Sequence, residues 1–365
     1  MSTINKVTKR EKERIILESQ LNHHIPMVLV DMLDSLKNIE YRSILNVFKS
    51  GYSEAKFGTI EEEYTFIKEV ICQLLDATFS NPFKEGMEKA MLLAIAETNF
   101  SSAARERFIH PFQAFLFGSI IIDKFYENFK KWFSEELCHS KSTDVEAAWL
   151  LASVFHDRSK PLMHLKKMIE YEEGEITTIE IPEKEEYVSV LSSLQTHLSQ
   201  GKTLESWKPK RTKNRLSQIL LEYAEADNHG VKSSFSLLRH LQKAFGKNAY
   251  NPGYVEAALA VALHDSQLHG PLLRNRIFPM DIALFPLPCL LLYCDAMEEW
   301  GRKTEYDPEV RLVDIKIEDN TVHCEVAFGQ NERARNKIDE ITGVMKCVRS
   351  EDISFTFSPR IYVNL

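Results

Sequence analysis

No C-x-x-C pair occurs among the six cysteines (Cys72, Cys138, Cys289, Cys294, Cys324, Cys347), and nothing in their spacing resembles a disulfide-stapled small scaffold. Three of them lie inside apolar runs, as reduced, buried thiols would. Glycine and proline are sparse, at 13 each in 365 residues, which excludes a collagen-like or long low-complexity segment. A basic excess is missing too. The net charge of −8 argues against a large nucleic-acid surface working by counterion release, though not against a small anionic substrate met by a local cation. Long apolar runs are absent as well. Residues 112–122 and 285–294 are the most apolar stretches, and both fall short of the roughly 20 residues a membrane span needs. The second also carries Pro286 and Pro288. The N-terminus turns into a charged helical pattern rather than an apolar signal core, so a cytoplasmic protein without a membrane partner is expected.

What is present is helical periodicity. Residues 9–21 read as a solvent-facing amphipathic helix, Pro26 opens a helix over 27–36, and 64–78 and 87–96 carry further helical runs. From 105 to 302 the pattern stays helical. It is interrupted at 170–187, where acidic residues surround the β-branched run 176–181 and read as a loop or short hairpin. Residues 208–215 form a basic stretch just before a helix over 216–226. The character changes near residue 306: 310–318 and 321–328 alternate apolar and polar around an Asp319-Asn320 turn, 331–348 reads as a helix and 353–363 as a strand. The expected architecture is mainly α, with an N-terminal helical extension (1–104), a helical domain (105–305) and a small C-terminal β-β-α-β unit (306–365).

Two segments resemble each other. Residues 147–157 (AAWLLASVFHD) and 257–265 (AALAVALHD) are apolar helices that each deliver a His-Asp pair at the C-terminal end. A helix apolar nearly all round is a buried one, so these ionisable groups sit inside the protein, where they are costly unless paired or bound to metal. Imidazole and carboxylate ligands together suit Mn, Fe, Co, Ni or Zn. An adjacent His-Asp cannot close such a site alone. Further candidates are His110, before the apolar run 111–122; His229, beside Gly230 at a helix entrance; and Asp295, within the string LLLYCDAMEEWGR.

The ordered set His110, His156-Asp157, His229, His264 and Asp295 resembles the H…HD…H…H…D signature of the HD-domain metal-dependent phosphohydrolase superfamily. The likeness spans about residues 105–302. The two middle histidines are similar to those of its binuclear members, which include cyclic-dinucleotide phosphodiesterases. The strings at 105–118 (RERFIHPFQAFLFG), 257–264 and 294–302 look most like a group of largely uncharacterised HD proteins. The resemblance implies an HD helical bundle with one metal on His110, His156, Asp157 and Asp295, and a second on His229 and His264 with Asp157 bridging. It implies hydrolysis of a phosphomonoester or phosphodiester, in a nucleotide or other small phosphate ester, by metal-activated hydroxide. Lys160 stands where many HD proteins carry the lysine of H-D-x-x-K and is a candidate for holding phosphate. Ser159 replaces the usual glycine before it. Arg105, Arg302 and His269 are further substrate-binding candidates, the last at the expected pocket rim.

Each residue also has a plainer reading. His156-Asp157 and His264-Asp265 can be helix ends, with the histidine near the dipole and the aspartate capping the next element. Asp295 can pair with Arg302 or cap a helix over 296–300. Lys160 can be an exposed loop lysine, and the basic stretch 208–215 a solvated loop. Two other functions stay open at this level. One is a nucleotide-sensing module whose output runs through the C-terminal unit; the other is a nuclease guided by residues 208–215.

Overall fold

Apolar residues at helical spacing build the body of the molecule, and the capping residues between them set where each helix starts. The computed structural model describes residues 5–6, 25–79, 103–133, 144–157, 159, 210–226, 228–246, 251–297, 311–328 and 332–361. After a two-residue strand β1 (Asn5–Lys6) come helices α1 (Met27–Asp31), extended by a 3-10 turn (Met32–Ser35), α2 (Arg42–Glu54) and α3 (Ile60–Thr78). Next are α4 (Ala103–Lys124), α5 (Tyr126–Lys131), α6 (Val145–Phe155), α7 (Lys210–Glu225), α8 (His229–Phe245), α9 (Pro252–Leu263) and α10 (Ser266–Arg274). Strand β2 (Met280–Asp281) precedes α11 (Pro286–Met297).

Local chemistry explains these starts. Thr59 accepts from the Glu62 amide at 3.3 Å while the Glu62 carboxylate reaches back to the Gly58 amide at 2.6 Å, a reciprocal cap on α3. Asp144, Asn228, Asn251 and Asp265 cap α6, α8, α9 and α10 with their side-chain oxygens. Pro286 and Pro288, which interrupt the apolar run in the sequence, instead open α11. Proline suits a first turn, and the Leu287 amide between them donates to Glu256 Oε1 of α9 at 3.0 Å.

The core is a layer of buried helices. Every residue of α6 is buried, as is every residue of α11 except Asp295. Helix α9 packs on α6, α8 and α11, and α4 packs on α6 and α11. The approach of α4 to α6 is close enough that a Cβ on Gly118 would lie 2.0 Å from Trp149, whose Nε1 donates to the Phe115 carbonyl at 3.1 Å. The N-terminal helices share this core: Phe48 meets Phe112 edge-on with ring centres 5.0 Å apart, and Asp123 Oδ1 accepts the amides of Lys37, Asn38 and Ile39.

The C-terminal strands keep the expected order. Strands β3 (Arg311–Glu318) and β4 (Thr321–Phe328) form an antiparallel hairpin whose turn residue Asp319 takes φ +48°, a conformation aspartate tolerates. After α12 (Glu332–Met345) and β5 (Val348–Arg349), β6 (Ser354–Ile361) pairs parallel to β4, with Thr321 opposite Ser354 and Phe328 opposite Ile361. The sheet order is β1-β6-β4-β3, so the N-terminal strand completes the C-terminal sheet.

Three boundaries differ from expectation: α3 begins at Ile60 rather than 64, where Thr59 caps it, and two others lie nearer the C-terminus. The last helix ends at Met345 rather than 348, because the Cys347 and Arg349 carbonyls accept from Met280 and Ile282 and draw Val348 into a parallel pairing with β2. Helix α7 begins at Lys210, so most of the basic stretch lies in its first turns; Arg215 there donates to Asn275 at the end of α10. The segments predicted at 9–21, 87–96 and 170–187 lie outside the described residues. Among those described, Cys289, Cys294, Cys324 and Cys347 are buried free thiols, and no helix is long and apolar enough to cross a membrane.

Candidate metal centre

Five helices bring the six candidate side chains to one point. His110 projects from the buried middle of α4, and His156 and Asp157 leave the end of α6. His229 is the first residue of α8, His264 comes directly after α9, and Asp295 lies near the end of α11. His110, His156, Asp157 and His264 are buried, whereas the side chains of His229 and Asp295 are 17% and 24% exposed, so the cluster opens to solvent on their side.

The separations suit a cation. Ligand atoms about 2.0–2.2 Å from a metal such as zinc lie about 3.0–3.5 Å from one another at the usual coordination angles. His110 Nε2 is 3.0 Å from His156 Nε2 and 2.9 Å from Asp295 Oδ1, with Asp157 Oδ2 at 3.7 Å. His229 Nε2 is 3.1 Å from His264 Nε2, and Asp157 Oδ1 lies 3.4 and 3.3 Å from these two nitrogens. Two overlapping buried groups, His110–His156–Asp295 and His156–Asp157–His264, are therefore able to hold a metal ion. His229 adjoins the second through its contacts to His264 and Asp157.

The ring tautomers are set from behind. His156 Nδ1 donates to the Ser153 carbonyl at 2.6 Å, His264 Nδ1 to the Val261 carbonyl at 2.6 Å, and His229 Nδ1 to Asp265 Oδ2 at 2.6 Å. With the proton on Nδ1, each Nε2 presents a bare lone pair to the others. Burial holds the His110 imidazole down to about 4 and lowers His264 as well, against the raising effect of the carboxylates, so both rings favour the neutral, ligating form. Burial pushes the Asp295 carboxyl up, but the His110 and His156 rings beside it, with Nε2 atoms 2.9 and 3.6 Å from Oδ1, outweigh it and hold the group well below the usual carboxylate range.

Asp265 is absent from the six candidate ligands, where its plainer role is that of a helix cap. It does cap α10, accepting from the Gln267 amide at 3.0 Å, and it also accepts from Asn228 Nδ2 and orients His229. Burial alone would raise its carboxyl, yet the His229 hydrogen bond and charge bring it to about 2. The repeated His-Asp pair is the signal that could have identified it. Ser159, the departure from glycine, ties the turn after Asp157 to the start of α8: its Oγ donates to the His229 carbonyl at 2.6 Å and its amide to Ser233 Oγ at 2.9 Å.

A cavity of about 160 Å³, room for several waters, opens beside the cluster. His110, His229, His264 and Asp295 line it, together with Lys337 and Glu340 of α12. His269 also lines it, with a buried Nε2 that has no hydrogen-bond partner among the described residues. The C-terminal unit thus forms a wall of the site, which composition and periodicity did not signal. Lys160 and Arg302 lie outside the described residues. Arg105 is in α4, but its side chain is outside them.

Comparison of the chain with protein-family models, with curated proteins and with solved structures returns no match.

Proposed function

We propose that the chain is a metal-dependent phosphohydrolase of the HD type, acting on a nucleotide or other small phosphate ester with two divalent transition metals. His110, His156, Asp157 and Asp295 would hold one ion; His229 and His264 would hold the second, with Asp157 shared. The observation that carries this reading is the facing pair His229 and His264. Each Nδ1 is occupied by an acceptor behind it, and the two Nε2 atoms lie 3.1 Å apart beside Asp157 Oδ1. A divalent cation between the two Nε2 atoms would satisfy both lone pairs at once, and the carboxylate supplies the matching negative charge.

Two such ions would supply a water of lowered pKa and neutralise the attacking and leaving oxygens of an in-line displacement at phosphorus. The chain's own groups divide the remaining work. Asp157 offers one oxygen to each half of the cluster, fixing their separation. The exposed edges of His229 and Asp295 leave the approach from the cavity open. His269, which lines the same cavity, would offer a further polar group to the ligand. Lys160, Arg105 and Arg302 retain the phosphate-binding roles that the resemblance implies.

The test is metal content per chain, measured for the wild type and a His156→Ala, Asp157→Ala variant, then hydrolysis of nucleotides and cyclic nucleotides with Mn or Co. Close to two metals in the wild type, lost in the variant, together with turnover, is the expected result. No metal after reconstitution sinks the proposal. Metal with ligand-induced stabilisation but no turnover replaces it with a sensing module.

A further inference from the structure

Helix α12 presents an inward face at residues 337, 341 and 344, one helical stripe of the i, i+4, i+7 kind. Ile341 and Val344 are the apolar residues such a face calls for. Lys337 is not: its side chain is only 7% exposed, whereas the polar residues around it, Arg335, Asn336, Asp339 and Glu340, are exposed. A lysine in an apolar stripe breaks the local pattern, and such breaks mark functional positions. Burying an ammonium group is costly unless negative charge meets it. Lys337 Nζ lies 3.1 Å from Glu340 Oε1, and both residues line the cavity that His110, His229, His264 and Asp295 also line.

The wall that carries Lys337 is fixed in place. Strand β5, directly after α12, pairs with β2, and Arg349 reaches Asp281 at 3.2 Å. On the sheet side, the ring of the buried Tyr293 of α11 lies tilted against Phe355 with centres 4.4 Å apart, and its hydroxyl donates to the Thr356 carbonyl at 3.2 Å. The lysine is therefore held by a docked wall in the cavity that the histidine cluster lines.

We propose that Lys337 is the anion-binding group of this pocket, holding the phosphoryl oxygens of a phosphomonoester or of its inorganic phosphate product in the cavity that the metal cluster lines. Glu340 occupies the ammonium in the free protein and is displaced by the anion. The C-terminal unit thereby completes the substrate site. This inference rests on the metal-centre reading for its charge balance: two divalent cations exceed the charge of Asp157, Asp265 and Asp295 and leave the cavity positive, so an anion enters rather than a cation.

The experiment is calorimetric titration of inorganic phosphate into the full chain, with metal content measured on every sample. Lys337→Met is expected to weaken phosphate at least about tenfold with metal content unchanged, and Lys337→Arg to retain most of the affinity, as a point charge on phosphate allows. Glu340→Gln should tighten phosphate several-fold, because the competing carboxylate is gone. Phosphate bound equally by wild type and Lys337→Met, or not bound by the metal-loaded wild type, overturns the proposal. If Lys337→Met does not fold, Glu340→Gln decides, and unchanged affinity there overturns it. A wild type without metal that still binds phosphate through Lys337 would sink the metal-centre reading and leave only the contact between Lys337 and the anion standing.

Discussion

Helices α6 and α9 run alike and end differently. Val-Glu-Ala-Ala opens α6 (145–148) and follows the first three residues of α9 (255–258), so the resemblance begins two residues earlier than the apolar runs alone suggest. In each, the glutamate is buried, accepts one backbone amide from another segment (Glu40 to Glu146 at 2.8 Å, Leu287 to Glu256 at 3.0 Å) and leaves its other oxygen without a partner among the described residues. Each closes on a histidine whose Nδ1 donates to the carbonyl three residues back. The aspartates then part company. Asp157 turns both oxygens into the histidine cluster, while Asp265 adopts an extended conformation at the start of α10, caps it, and grips His229 from behind. The same dipeptide thus supplies a central carboxylate once and a supporting carboxylate once. The element after the second pair decides the difference: α10 begins at Ser266, so Asp265 is used as its cap.

The comparison breaks most completely at Asp157. Asp157→Ala removes the carboxylate shared by both halves, so metal content should fall from about two per chain to near zero, because the His229 and His264 Nε2 atoms lose the carboxylate between them and His110 and His156 keep only Asp295. Asp265→Asn should act on one half only. Loss of a supporting partner behind a ligating histidine typically lowers metal affinity about 10–100-fold, so the second ion should titrate off in chelator while the first stays. Equal loss of both ions in the Asp265 variant would show that the two aspartates do the same job.

A smaller perturbation tests whether helix spacing sustains the second half. A Cβ on Gly230 would meet the Ala262 carbonyl at 3.0 Å and Asp265 Cβ at 3.1 Å, where the start of α8 crosses the end of α9. Overpacking of this kind costs about 1–3 kcal/mol. Gly230→Ala should therefore lower the denaturation midpoint and weaken the second metal more than the first, because His229 is pushed away from His264. Retention of both metals at wild-type affinity would mean that α8 shifts without moving His229.

Much of this is readable from the chain. The buried His-Asp endings, the remaining candidate ligands and the β-β-α-β order all come from runs of apolar residues interrupted by chemistry that is costly to bury. The rest depends on contacts between distant segments. Pro286 and Pro288 look like breakers until the Glu256 carboxylate supplies the missing cap, and Val348 reads as helix until Met280 pairs beside it. The repeated His-Asp pair marks Asp265 as worth attention, but its hold on His229 exists only once α8 meets α9. Lys337 sits in an ordinary-looking helix 42 residues beyond Asp295, and no periodicity reveals which cavity that helix faces.

The two glutamates give the finest test, since they set the likeness of α6 and α9 against their divergence. Burial pushes each carboxyl from an ordinary 4.5 to about 8, against the lowering effect of the amide each accepts. In both cases the folded chain keeps the proton between about pH 4.5 and 8, while the unfolded chain has released it. Stability from these groups is thus present below pH 4.5 and lost as pH rises through that window. Glutamine can accept the same amide without ever ionising. Glu146→Gln and Glu256→Gln should each match the wild-type melting temperature near pH 4.5 and exceed it by a margin that grows to pH 8, with metal content unchanged. A difference that stays flat with pH would show that the carboxyls ionise in place. A flat response in one variant only would mean that the helices differ already at the shared Val-Glu-Ala-Ala and not merely at their last residue.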